Sequence, residues 1–172
     1  AEFDLTTQRF KTLLQGNVDA IYFNEKLYIG KREEVFVYNE STGNFDLYYH
    51  LAGKDITLSC LHLDEKKNLW MGTTSNGLYC LSGDKKISQP VTRGNIASIY
   101  EDSSKELWIC TWEEGLYRIK TDSTIENFRH DPKNPNSICT DFVRSCCEDN
   151  AGNLWIGTFH GLNRYEKSTG KF

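Results

Sequence analysis

A three-residue motif occurs four times in this sequence, at intervals of roughly 40 residues. Each copy has an aromatic residue, then an apolar one and then a small one, which is glycine in all copies but the third. The copies are Tyr28-Ile29-Gly30, Trp70-Met71-Gly72, Trp108-Ile109-Cys110 and Trp155-Ile156-Gly157. The last three also follow an acidic residue and precede a Gly-Leu pair. The chain is therefore one unit repeated about four times, which excludes folds without internal repetition.

Within one unit, four short apolar runs alternate with polar turns. In the third unit the runs are NIASIYED, LWICTW, GLYRIKT and TIENFRH, and Gly, Ser, Asn and Asp lie between them. None of these runs has the period of about 3.6 residues that marks an amphipathic helix. Four antiparallel strands per repeat predict an all-β fold, a β-propeller of four-stranded antiparallel blades with about four repeats.

The repeat also indicates which residues have structural roles. Apolar residues occupy both odd and even positions of the second run, as expected when neighbouring blades cover both faces of a sheet. We therefore expect three equivalent tryptophans to be buried between blades and three glycines to mark close backbone approach. These residues are Trp70, Trp108, Trp155, Gly30, Gly72 and Gly157.

The repeat register predicts an incomplete blade at each end of the chain. The predicted units are a part blade at 1–17, blades at 18–51, 56–92 and 95–131, and a part blade at 138–172. A fourth strand near Phe10 to Leu14 either completes the last blade in a closed four-blade ring or belongs to an excerpt of a larger propeller. We favour the excerpt, because the terminal repeats show no special capping residues, and we expect self-association through an exposed blade edge or face.

Charge and hydropathy restrict the partners. The 20 basic and 24 acidic residues are well mixed, the net charge is −4, and no basic stripe is present to bind nucleic acid. No run of about 18 apolar residues could span a bilayer, and the N-terminus lacks signal-peptide features, so any targeting signal is absent from this sequence or already removed. We expect no nucleic-acid partner and no direct membrane contact.

Residue types that support catalysis or metal binding do not cluster. The six cysteines form no C-x-x-C pair and the four histidines are scattered, so neither a metal site nor a cofactor is predicted. The pairs Glu101-Asp102 and Glu148-Asp149 recur at the same place in successive repeats. Adjacent residues on a strand point to opposite faces, which favours a role in the turn over a paired acid and base.

The fourth unit resembles a known family. The segments FRHDPKNPNSI and ICTDFVRSCCEDNAGNLWIGTFHGLNRYEKSTGKF are similar to the two-component regulator propeller repeat; the third unit resembles it well and the first weakly. The resemblance implies a sensor region on the periplasmic side of the inner membrane. In the full protein such a region would be joined to a transmembrane helix and to histidine kinase domains. Many family members respond to oligosaccharides, and kinase activity would lie outside this chain, which is expected to have no catalysis of its own.

Function is therefore expected in the loops. Connections between blades and those between second and third strands share one face of a propeller, which commonly binds the ligand. Aromatic rings occur at equivalent loop positions in the third and fourth repeats, where they can stack on a sugar ring or fold back as lids. The predicted ligand-binding residues are Trp112, Phe159, Glu113, Arg93 and His160. A propeller enzyme, such as a lyase or glycosidase, and a general protein-interaction propeller are the alternatives.

Overall fold

The fold consists of antiparallel sheets connected by turns. The computed structural model describes residues 2–4, 9–11, 16–53, 55–91 and 94–172, with side chains in the last three ranges. These residues contain no helix, and therefore none long and apolar enough to cross a membrane. The predicted all-β class is confirmed.

The described strands form five sheets, four of which are successive blades. An N-terminal hairpin pairs β1 (Glu2–Asp4) with β2 (Arg9–Lys11). Blade 1 contains β3 (Ala20–Asn24), β4 (Lys26–Lys31), β5 (Glu34–Asn39) and β6 (Asn44–His50). Blade 2 contains β7 (Leu58–Leu63), β8 (Leu69–Thr73), β9 (Leu78–Leu81) and β10 (Ile87–Val91). Blade 3 contains β11 (Ile96–Glu101), β12 (Leu107–Thr111), β13 (Leu116–Ile119) and β14 (Ile125–Phe128). Blade 4 contains β15 (Val143–Glu148), β16 (Leu154–Thr158) and β17 (Gly161–Tyr165).

Each blade is an antiparallel meander in which strands adjacent in sequence are adjacent in the sheet. Blades 1 to 3 have four strands, and the described part of blade 4 has three. The hairpin β1–β2 is a separate sheet and does not pair with β17 among the described residues. The strand predicted near Phe10 to Leu14 lies partly outside these residues, since β2 ends at Lys11. The architecture is that of a partial propeller, as predicted.

The turn between the first and second strands has the same hydrogen bonds in blades 2, 3 and 4. An aspartate follows the first strand, and its Oδ2 accepts a hydrogen bond of 2.8 Å from the indole N–H of the tryptophan six residues later. The pairs are Asp64–Trp70, Asp102–Trp108 and Asp149–Trp155. The recurring acidic residue and the recurring tryptophan therefore form one structural unit.

A second donor to this carboxylate differs between blades. In blades 2 and 4 the amide of an asparagine donates, from Asn68 at 2.9 Å and from Asn153 at 3.1 Å. Blade 3 has Glu106 at that position, and a carboxylate cannot donate. There the ammonium of Lys167, which belongs to blade 4, lies 2.8 Å from Asp102 Oδ2. The turn of blade 3 is thus completed by a residue of the next blade.

The interfaces between blades differ in composition. Between blades 2 and 3, Trp70 belongs to a cluster that is otherwise mainly aliphatic and includes Ile96, Leu107 and Ile109. Between blades 3 and 4, Trp108 packs among aromatic rings: its centroid lies 5.9 Å from Phe128 and 5.3 Å from Tyr165. The ring of Phe172 lies 4.9 Å from that of Tyr165 and closes this cluster.

The predicted glycines lie where strands approach closely. A Cβ added at Gly72 would lie 2.8 Å from Ile96 Cγ2 of blade 3, and one at Gly30 would lie 3.0 Å from Leu58 Cδ1 of blade 2. Such distances are shorter than normal carbon–carbon contacts. At Gly157 the nearest atom would be Ser145 Oγ of the same blade, at 3.2 Å.

The face of blade 4 that points away from blade 3 is uncovered in the described structure. Leu78 and Leu116 are fully buried, but the equivalent Leu162 is 68% exposed. Likewise, Trp108 is fully buried and Trp155 only partly, although both indoles make the same bond to aspartate. Blade 1 has a second uncovered face, which exposes Ile21 and Phe23. Burial of the predicted tryptophans therefore depends on whether a following blade is present.

Candidate functional site

The loops between second and third strands are held by one repeated threonine. The hydroxyl of Thr73 donates to Gly77 O at 2.8 Å, that of Thr111 to Gly115 O at 2.7 Å, and that of Thr158 to Gly161 O at 2.8 Å. The next residue is fixed through its backbone. Trp112 N donates to Asn95 O, and Phe159 N donates to Phe142 O, both at 3.0 Å.

This backbone arrangement brings the two predicted aromatic residues together. The ring centroids of Trp112 and Phe159 are 6.1 Å apart with an interplanar angle of 51°. Phe142, in the connection to blade 4, lies 6.3 Å from Phe159. Phe159 is 63% and Phe142 41% exposed, whereas Trp112 is half-buried. The three rings, named here the aromatic patch, bridge blades 3 and 4 on the loop face.

A guanidinium group covers one ring of the aromatic patch. Arg144, near the start of β15, has its Cζ 4.3 Å from the ring centre of Trp112. This distance is well within the range of a cation–π interaction. The side chain is exposed, and none of the described residues accepts a hydrogen bond from it or forms an ion pair with it. A stacked guanidinium with unused donors therefore lies beside two exposed rings.

A salt bridge supports the Trp112 loop from behind. Arg129 Nη2 donates to Asp141 Oδ2 at 2.9 Å and to Glu113 O at 3.1 Å. The other Asp141 oxygen accepts from His130 N at 2.7 Å. The Asp141 carboxylate raises the pKa of Arg129. Both groups are occupied by each other, so their role is to fix the loop.

A concave region on the same face lies at blade 1. Its cavity of about 520 Å³ is lined by polar residues and by Thr57 of the connection to blade 2. The other lining residues are Asn17, Asp19, Lys31 and Arg32. The loop face therefore offers a polar cavity at one end of the blade series and the aromatic patch at the other.

Comparison with known proteins identifies the repeat. The family model described as "Two component regulator propeller" matches residues 91–113 and 137–160. These segments are two-component regulator propeller repeats. They include the loops of Trp112 and Phe159 and the start of β15 with Arg144. No curated protein sequence matches the chain significantly.

Solved structures share the fold at low sequence identity. One is an extracellular domain from B. thetaiotaomicron, named as belonging to the hybrid two component system BT4673, with 22% identity and a TM-score of 0.77. The match covers 94% of this chain and 24% of that one. The extracellular domain of BT3049 from the same organism gives 24% identity and a TM-score of 0.73, covering 94% of this chain and 23% of the other. The chain thus spans about a quarter of these structures.

A lyase has a similar fold. Virginiamycin B lyase from Staphylococcus aureus matches with 15% identity and a TM-score of 0.64, covering 89% of this chain and 57% of the lyase. At such identities the likenesses show the propeller fold alone.

Within the two matched repeats, the predicted site residues have different environments. Glu113 and His160 have exposed side chains beside the aromatic rings, and Glu113 contributes its carbonyl to the support of the loop. Arg93 lies outside the described residues. Sequence reasoning missed Phe142 and Arg144. Phe142 directly precedes β15, and an aromatic residue in a connection between blades was the available signal for it.

Proposed function

We propose that this chain is part of the ligand-sensing region of a two-component sensor histidine kinase, on the periplasmic side of the inner membrane. Support comes from the matched regulator propeller repeats and from the extracellular domains with the same fold. The proposal assigns no catalysis to this chain. Kinase activity would belong to other domains of the full protein, and the remaining blades would be direct partners of this chain.

The aromatic patch is the proposed ligand site, and the contact between Trp112 and Phe159 is the observation on which this proposal depends. Large aromatic rings are costly to expose to water, yet Phe159 is 63% exposed at a loop whose backbone is hydrogen-bonded. Flat exposed rings suit the apolar face of a sugar, so the proposed ligand is an oligosaccharide. Glu113, His160 and, from the preceding connection, Arg93 would supply the hydrogen bonds that give specificity.

The test is a titration of oligosaccharides followed by calorimetry. Wild type is compared with the double variant Trp112→Ala, Phe159→Ala, with circular dichroism to confirm that both are folded. Phe23→Ala is the matched control, because Phe23 is a 72% exposed phenylalanine on blade 1. We expect the double variant to lose about 10-fold or more in affinity, the scale of one well-packed aromatic contact, and the control to lose none. Unchanged affinity in a folded double variant contradicts the site, and no binding by wild type contradicts a saccharide sensor.

A role in assembly is a second part of the proposal. The uncovered faces of blades 1 and 4 expose Ile21, Phe23 and Leu162, and exposed apolar surface of this kind favours association. We propose that this chain self-associates in isolation and contacts further blades in the full protein. Light scattering over a range of concentrations tests the first statement.

A further inference from the structure

Arg144 differs from the other arginines of blades 3 and 4 that have aromatic or acidic neighbours. Arg118 lies over Trp108, with its Cζ 5.3 Å from the ring centre, but it donates to Glu106 at 2.7 Å. Arg129 donates to Asp141. Arg144 is closer to its aromatic ring than Arg118 is, at 4.3 Å, and no carboxylate of the described residues accepts from it. Its charge is therefore positioned but not neutralised.

The position of Arg144 is fixed before any ligand arrives. Stacking on Trp112 holds the guanidinium plane parallel to a ring whose own loop is anchored by the Trp112 N to Asn95 O bond and by Arg129. Immobilising a long side chain on binding usually costs about 0.5–1.5 kcal/mol. Much of this cost is already met at Arg144, and the edge of the guanidinium remains free in solvent.

The chemistry of a stacked guanidinium selects one kind of ligand group. Its N–H donors form a planar fork that matches the two oxygens of a carboxylate. A sugar ring on the exposed Phe159 would lie next to Trp112, because those two rings are in contact, and Arg144 covers Trp112. A carboxylate on that sugar, or on the adjacent one, would then lie within reach of the fork.

We infer that the ligand of the aromatic patch is an acidic oligosaccharide containing a uronic acid, and that Arg144 binds its carboxylate. This inference rests on the proposed function, since it requires that the patch binds a saccharide. It adds the class of saccharide and one residue that determines specificity.

The test uses ligands that differ only in charge. Oligogalacturonides and oligoglucuronides are titrated in parallel with their methyl esters, which keep the sugar backbone and remove the negative charge. Wild type is compared with Arg144→Gln, which removes the charge, and with Arg144→Lys, which keeps the charge but loses the fork. Arg164→Gln is the control, because Arg164 is an exposed arginine of β17 with no ion pair among the described residues.

We expect at least one uronate to bind wild type about 10-fold more tightly than its ester, as is usual for a charge-assisted hydrogen bond near the surface. Arg144→Gln should abolish this preference, Arg144→Lys should restore only part of it, and Arg164→Gln should leave it unchanged. The preference should also decrease with added salt.

Two outcomes separate this inference from the proposed function. If neutral saccharides or esters bind as tightly as uronates, or if Arg144→Gln keeps the preference, the inference is wrong and the proposed function stands. If no saccharide binds wild type, both are wrong.

Discussion

The interface between blades 2 and 3 and the interface between blades 3 and 4 share a backbone plan but differ in how charge is used. At the first, Asp64 is satisfied within its own turn by Asn68 and Trp70, and the only charged contact from β7 is His62 with Glu101 of blade 3, at 3.4 Å. Burial lowers the pKa of His62 more than Glu101 raises it. The first interface is mainly apolar.

At the second interface, Asp102 is satisfied across the interface. Lys167 lies between Asp102 and Glu148, whose side chains are 0% and 7% exposed. Burial alone would raise the pKa of both carboxyls, but hydrogen bonds from Lys167, joined by Trp108 at Asp102, lower them. The difference teaches that one change, from asparagine to Glu106, moves a required donor from the local turn to the neighbouring blade. Local stability then depends on the interface.

The largest expected effect is the difference between two equivalent tryptophans. Trp108→Ala should reduce the free energy of unfolding by about 3–5 kcal/mol, because a fully buried indole and its bond to Asp102 are lost. Trp155→Ala should cost about half as much, because the ring is already partly exposed. Urea unfolding followed by circular dichroism measures both. Equal losses would mean that covering by the next blade contributes little.

The next effect comes from Lys167→Met. Removing the ammonium leaves two buried carboxylates facing each other, and breaking a buried pair costs about 3–5 kcal/mol; partial exposure of Lys167 reduces the expected loss to about 2 kcal/mol. Glu106→Asn is the matched rescue, since it restores to blade 3 the asparagine that blades 2 and 4 have.

The double variant Lys167→Met, Glu106→Asn should recover part of the stability lost in Lys167→Met. Glu106→Asn alone should be mildly destabilising, because Arg118 loses its partner. A double-mutant cycle from urea unfolding measures the coupling. Strict additivity would show that the two donors do not replace each other.

A smaller effect is expected in the acid range. Asp102 and Glu148 have lowered pKa values in the folded state, and Asp149 is lowered to about 2 by hydrogen bonds from Trp155 and Asn153. Such groups stabilise the fold fully above their unfolded pKa values of about 4, and this stabilisation is lost as pH falls through the folded values. The wild type should therefore lose stability below about pH 4.

Lys167→Met should begin to lose stability at a higher pH than wild type, since Asp102 and Glu148 lose the donor that lowers their pKa. Unfolding in urea at a series of pH values tests this. Coinciding acid profiles for the two proteins would contradict the assigned role of Lys167.

The smallest effect on stability is expected at the uncovered face. Leu162→Asp should change the free energy of unfolding by less than about 0.5 kcal/mol, because the side chain is 68% exposed. It should nevertheless reduce self-association in light scattering. The equivalent Leu116→Asp, at a fully buried position, should unfold the protein. A wild type that stays monomeric at high concentration would contradict association through this face.

The repeat made the fold predictable. Strand number, the equivalence of the tryptophans and the close approach at Gly72 follow from residue types at a fixed period, and local patterns determine them. The partners of Lys167 and Arg144 do not follow from any local pattern. Each lies on a neighbouring blade, so the contact depends on how two blades are rotated against each other. The aromatic residues of the proposed site were found because the loops are equivalent, whereas Arg144 belongs to a strand position that is Ala97 in blade 3.

The donor from Lys167 to Asp102 has a consequence for how such chains diversify by duplication. A unit with asparagine in its turn is self-sufficient and can be copied, deleted or moved beside any other unit. A unit with glutamate there, as in blade 3, requires a successor with a lysine like Lys167, so the two units are inherited as a pair. In aligned sequences, positions 106 and 167 should therefore covary, and blades 3 and 4 should keep their order where others are exchanged.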